Sequence, residues 1–167
     1  MGELISFPSN GSEGSGYFAV PDDGSGPGVV VIQEWWGLND QIKEVCDRYA
    51  GAGFAALAPD LYRGESTQEP DEAGKLMMAL NIEQAAKDMV GAIDALKASA
   101  AVSSNGVGVT GYCMGGGLAL WLATLRPDDV VGVVPYYGVI PWPAAQPEYS
   151  KLRAPVQGHY AENDDFA

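Results

Sequence analysis

The sequence has 167 residues and 47% hydrophobic content, which suits one globular domain, 1–167, with a real core. Acidic residues outnumber basic ones 22 to 9, a formal net charge of −13 that would repel a nucleic-acid backbone or an anionic membrane surface. Two cysteines without a signal peptide exclude a secreted disulfide framework, and no apolar run reaches the ~18 residues of a membrane span, so the expected compartment is the cytoplasm.

Short extended pieces near 5–7 and 16–20 read as an opening hairpin. After a Gly-rich loop, "GVVVIQ" (28–33) is a continuous β-branched run, the pattern of a strand buried on both faces of a parallel sheet. Asn39 or Asp40 caps a helix over 40–50 that places Ile42, Val45, Cys46 and Tyr49 on one face and stops at Gly51 and Gly53. "FAALAPD" (54–60) is the next buried strand. A polar loop over 63–70 leads to helices at 71–80 and 82–98. "GVGVT" (106–110) is a strand and 114–125 a helix, followed by strands in "VVGVVPYYG" (130–138) and "APVQGHY" (154–160). Alternating strands and helices give a doubly wound, mostly parallel α/β sheet. Ligands bind such sheets beyond the carboxyl ends of the strands, here 33–37, 111–115 and 161–166.

One of these segments carries chemistry. Gly111-Tyr112-Cys113-Met114-Gly115 has the spacing of a nucleophile elbow, a strained turn from strand to helix that lifts the central side chain above the sheet. Glycines two positions either side are needed because the turn leaves no room for a side chain. The helix N-terminus is expected to favour the Cys113 thiolate, and the Met114 N–H can stabilise a tetrahedral oxyanion. Gly106, Gly108 and Gly111 also spell G-x-G-x-x-G, but they lie within a strand rather than after one, so they are no dinucleotide fingerprint. Cys46 sits at core spacing on a helix face. Without C-x-x-C or a Cys/His cluster, neither thiol redox chemistry nor a metal site is expected, and no cofactor is implied.

"VVVIQEWWGLND", "GFAALAPDLYRG", "GVGVTGYCMGGGLAL", "VVPYYG" and "GHYAENDDF", in that order, resemble the dienelactone hydrolase family, α/β hydrolases with a cysteine nucleophile. The resemblance runs from about residue 15 to the last residue and implies an α/β-hydrolase fold acting on small lactones or carboxylic esters. It makes Cys113 the nucleophile, Glu34 the carboxylate that helps ionise it, and Asp164 the triad acid, with Asp165 a rival separated from it by position relative to Phe166. Trp35 would supply the second oxyanion N–H beside Met114. Trp36 and Tyr137 would shape the substrate pocket.

Two departures from the family pattern follow. His159, the one histidine, precedes Asp164 and is expected within a strand, away from the site; the family's catalytic histidine would follow a further strand beyond Ala167. The C-terminal strands and helix of the fold are therefore expected to be lacking, with an exposed edge strand available for self-association. The arginine and tyrosine with which dienelactone-preferring relatives hold a substrate carboxylate fall at Pro70 and Gly74, leaving Arg63 as the nearby substitute. The competing reading is a non-catalytic binding or assembly module that keeps the scaffold.

Overall fold

The computed structural model describes residues 2–165. Six strands form one sheet in the order β1-β2-β4-β3-β5-β6. The opening hairpin is β1 (Glu3–Ser9) and β2 (Ser12–Ala19), and β2 also pairs antiparallel with β4 (Ala55–Pro59). β4, β3 (Gly26–Ile32), β5 (Val102–Tyr112) and β6 (Val130–Tyr136) run parallel.

The run of β-branched residues in β3 is buried on both sides, as its continuity requires. Val29 and Val31 pack with Ile42, Cys46 and Ala50 of α1 (Asp40–Gly51) on one face. On the other, Val30 and Ile32 join Met89 and Ile93 of α3 (Ile82–Ala98) and Leu118 and Leu122 of α4 (Met114–Leu125). The sheet is therefore doubly wound. Asn39 is the cap of α1, its side chain accepting from the Ile42 N–H at 3.1 Å. α2 (Pro70–Ala79) begins on a proline, where the missing N–H does no harm.

Two strands differ from expectation. β5 begins at Val102, ahead of the apolar run, because the polar stretch before Gly106 pairs as well. The register shifts between Gly26 and Gly28, and the Ser104 hydroxyl accepts from the Gly28 N–H at 3.1 Å where the ladder is irregular. The expected strand at 154–160 lies parallel to β6 but forms only the isolated bridges Val133↔Val156 and Tyr136↔His159. Val133 N–H donates to the Pro155 carbonyl and Tyr137 N–H to that of His159. Between them β6 presents Pro135, which has no N–H to give, so the ladder is interrupted midway.

Candidate active site

β5 ends at Tyr112 and α4 starts at Met114, so Cys113 alone makes the turn. Its backbone stands at φ 54°, ψ −123°, a conformation that residues with a side chain rarely adopt. Close packing imposes it. A Cβ on Gly111 would lie 2.0 Å from the Gly115 carbonyl oxygen, and one on Gly115 would lie 2.3 Å from that of Gln33 at the end of β3. Hydrogen bonds hold the turn from the other side: Cys113 N–H donates to the Tyr136 carbonyl (3.1 Å), and Val139 N–H donates to the Cys113 carbonyl (3.2 Å). The elbow is thus clamped between the ends of β3 and β6.

Around the half-buried thiol stand three kinds of group. The Met114 N–H is within hydrogen-bonding reach of the sulfur, and the Glu34 and Asp164 carboxylates are near enough for their charges to act on it. Burial pushes the thiol above its ordinary value, Met114 N–H pulls it down, and the two carboxylates push it up again, for a net rise. The expected preference for thiolate is therefore corrected: at rest the desolvated site between two acids holds a thiol, despite the helix N-terminus. Glu34 accepts a hydrogen bond from the Tyr137 hydroxyl at 3.1 Å. Burial, together with the Glu34 charge and that hydrogen bond, raises the Tyr137 phenol. Beneath the elbow, the buried Tyr62 hydroxyl meets the Met114 sulfur at 3.4 Å, and burial followed by the Cys113 charge raises this phenol as well.

In comparison with known proteins, the sequence profile of the dienelactone hydrolase family matches residues 15–167. The chain belongs to that family. Protein usf of Aquifex pyrophilus is 40% identical over 177 residues, spanning 99% of this chain and 73% of that protein. A provisionally assigned carboxymethylenebutenolidase of Aquifex aeolicus is 36% identical over 172 residues, again spanning 99% of this chain and 73% of the other. The solved structure of a provisionally assigned dienelactone hydrolase from Klebsiella pneumoniae matches with a TM-score of 0.81 at 28% identity, covering 95% of this chain and 71% of that one. The fold is that of the α/β hydrolases.

Other expected residues of this dienelactone hydrolase-family chain lie as follows. Trp35 and Trp36 form a turn closed by Gly37 N–H donating to the Glu34 carbonyl at 3.3 Å, their rings edge-on at 4.9 Å. Trp36 also lines an open groove of about 610 Å³ with Leu38, Lys43, Ser66 and Thr67; Cys113 is not among its lining residues. Asp164 and Asp165 are exposed, and Phe166, expected to discriminate between them, lies outside the described residues. His159 stacks on Tyr136 (4.5 Å), which stacks on Tyr112 (5.0 Å), and its Nε2 is 3.1 Å from the Gln157 amide nitrogen.

Arg63 is engaged with Asp88 and also lines a groove with Leu61, Tyr62, Leu76 and Leu80. One guanidinium nitrogen donates to both oxygens of Asp88 on α3, at 3.0 and 3.1 Å, and another donates to the Glu13 carbonyl at 3.2 Å. Asp88 itself is buried and also accepts from Ser9 (2.5 Å) and Gln84 (2.9 Å). The pair ties the hairpin, the turn after β4 and α3 into one polar knot. Cys46 is fully buried and its thiol is pushed up to about 12, as a packed core residue's would be. Among the described residues, no group of three or more potential metal ligands forms and no helix is long and apolar enough to cross a membrane.

Tyr62 and Asp88 were not singled out from the sequence. Tyr62 stood within the "APDLYRG" motif, but nothing in its spacing reveals that the turn after β4 folds under the elbow. Nothing in the sequence sets Asp88 apart from the other polar positions of α3.

Proposed function

We propose that this chain carries the acylating machinery of a cysteine-dependent hydrolase of small carboxylic esters and lactones. The observation that carries the proposal is the strained Cys113 at the N-terminus of α4, with its sulfur within reach of the Met114 N–H and the Glu34 charge. Glu34 takes the thiol proton as Cys113 Sγ attacks the carbonyl carbon. The backbone N–H groups of Met114 and Trp35 hold the oxyanion. On collapse the ester C–O bond breaks, the alkoxide leaves with the proton from Glu34, and a thioester remains on Cys113. Tyr137, by donating to Glu34 at 3.1 Å, holds that carboxylate in place beside the elbow.

Release of the thioester calls for an imidazole base oriented by Asp164. His159, stacked on Tyr136, is not placed for that task, so residues 1–167 support acylation and not efficient turnover. The engagement of Arg63 with Asp88 and the −13 net charge both favour uncharged acyl groups over carboxylate-bearing ones.

The test is pre-steady-state hydrolysis of p-nitrophenyl acetate by the chain and by Cys113→Ala. A stoichiometric release of nitrophenolate that then stalls, and is lost in the variant, is the expected result. Equal release by both proteins, or none by either, would overturn the proposal.

A further inference from the structure

Trp36 opens onto a groove that Cys113 does not line, and two loops build it: residues 36–39, which lead into α1, and residues 66–68, which follow β4. Backbone contacts join the two. Gly37 and Ser66 form an antiparallel bridge, and Thr67 N–H donates to the Trp36 carbonyl at 3.1 Å. The approach is close: a Cβ on Gly37 would lie 2.5 Å from the Glu65 carbonyl oxygen, and its φ of 91° favours glycine. The walls are thus fixed relative to one another before any ligand arrives, which spares the cost of ordering them on binding.

The lining combines one aromatic surface with neutral polar groups. Trp36 is half-buried, and the Trp35 ring braces it edge-on at 4.9 Å. Gln41, Ser66 and Gln68 are exposed, and their side chains engage no partner among the described residues. The Asn39 side-chain carbonyl accepts from the Ile42 N–H, which leaves its amide N–H groups to donate. The Thr67 hydroxyl accepts from Glu69 N–H at 3.0 Å and keeps its own proton to give. The two charges present, Lys43 and Asp40, pair with each other at 3.3 Å.

We propose that this groove binds a neutral saccharide, with one pyranose ring lying on Trp36. A pyranose presents a face of C–H bonds suited to an aromatic surface, and its hydroxyls both donate and accept around the rim. Indole, amide and hydroxyl groups supply the matching chemistry. An apolar ligand would desolvate the amides without repaying them. An anion would meet a lysine already paired and a chain of net charge −13. At about 610 Å³ the groove falls within the roughly 300–1,000 Å³ of small-molecule sites.

Titration with cellobiose tests this, followed through the indole N–H and side-chain amide signals in proton–nitrogen correlation spectra. Saturable binding in the millimolar range or tighter is expected, with the shifts centred on Trp36, Gln41 and Gln68. Cyclohexanol, a ring of the same size carrying a single hydroxyl, binds far more weakly. Trp36→Ala weakens cellobiose at least about tenfold, the loss of a central aromatic anchor. Gln41→Ala and Gln68→Ala combined weaken it at least about fivefold, through lost hydrogen bonds. Cys113→Ala binds as the wild type does, so the result stands apart from the nucleophile assignment. Absence of saturable shifts, shifts centred elsewhere, cyclohexanol equal to cellobiose, or either groove variant at wild-type affinity overturns the inference. Should Trp36→Ala fail to fold, the combined glutamine variant decides, since both of its side chains are exposed.

Discussion

Replacing Arg63 with alanine separates a structural role for this residue from substrate binding. Asp88 accepts from Ser9 and Gln84 and, at both oxygens, from Arg63, and its side chain is only 2% exposed. Removing one partner of a buried ion pair costs about 3–5 kcal/mol, because the other charge is left desolvated. Here the Arg63 side chain is 47% exposed, so water can reach the vacated position, and two neutral donors remain. A loss of about 2 kcal/mol is the reasonable figure. For a chain of this size it corresponds to a fall of about 4–8 °C in Tm. Glycine sharpens the test: a side chain at φ 55° carries about 1 kcal/mol of backbone strain, so Arg63→Gly should lose roughly that much less than Arg63→Ala. Thermal and urea melts of both variants measure this, alongside the concentration dependence of the p-nitrophenyl acetate burst. Unchanged melts together with weakened substrate saturation would refute the reasoning and return Arg63 to the pocket.

Gly115→Ala places a Cβ 2.3 Å from the Gln33 carbonyl oxygen and 2.5 Å from that of Ile32, both backbone atoms, so the elbow must shift. The burst should fall by at least about tenfold, since small displacements of a reacting group are that damaging, and a wild-type burst would show the turn to be tolerant. Glu34→Gln removes one of the charges that raise the Cys113 thiol. The pH midpoint of iodoacetamide alkylation should fall, giving more thiolate at neutral pH, while the acetate burst slows for want of a proton acceptor. A midpoint that rises would contradict the placement of Glu34 beside the sulfur.

The elbow was legible because each of its requirements leaves a mark on the chain. Gly111 and Gly115 are glycines since backbone carbonyls occupy the space of a Cβ, and the apolar run before them and the helix after them are periodic patterns. The double burial of β3 was equally plain from its β-branched residues. What escaped was lateral or long-range. No local pattern indicates that Arg63 would find Asp88, 25 positions away on another element, or that Tyr62 would fold beneath Met114. The interruption along 154–160 depended on Pro135 in a different strand. The direction of the Cys113 shift was misjudged because the helix N-terminus is visible in sequence, whereas desolvation and the combined charge of two carboxylates exist only once the fold has gathered them.

The clamp on the elbow also bears on how the molecule comes together. The turn at Cys113 closes against carbonyls at the end of β3, some 80 residues earlier, and at the end of β6, and against the Val139 N–H just beyond it. The local bond from Gly116 N–H to the Cys113 carbonyl, 2.9 Å, only begins the helix, so the strained turn is held once both flanking strands have docked. The strained presentation of Cys113 at the head of α4 is thereby reserved for a chain whose central sheet is complete.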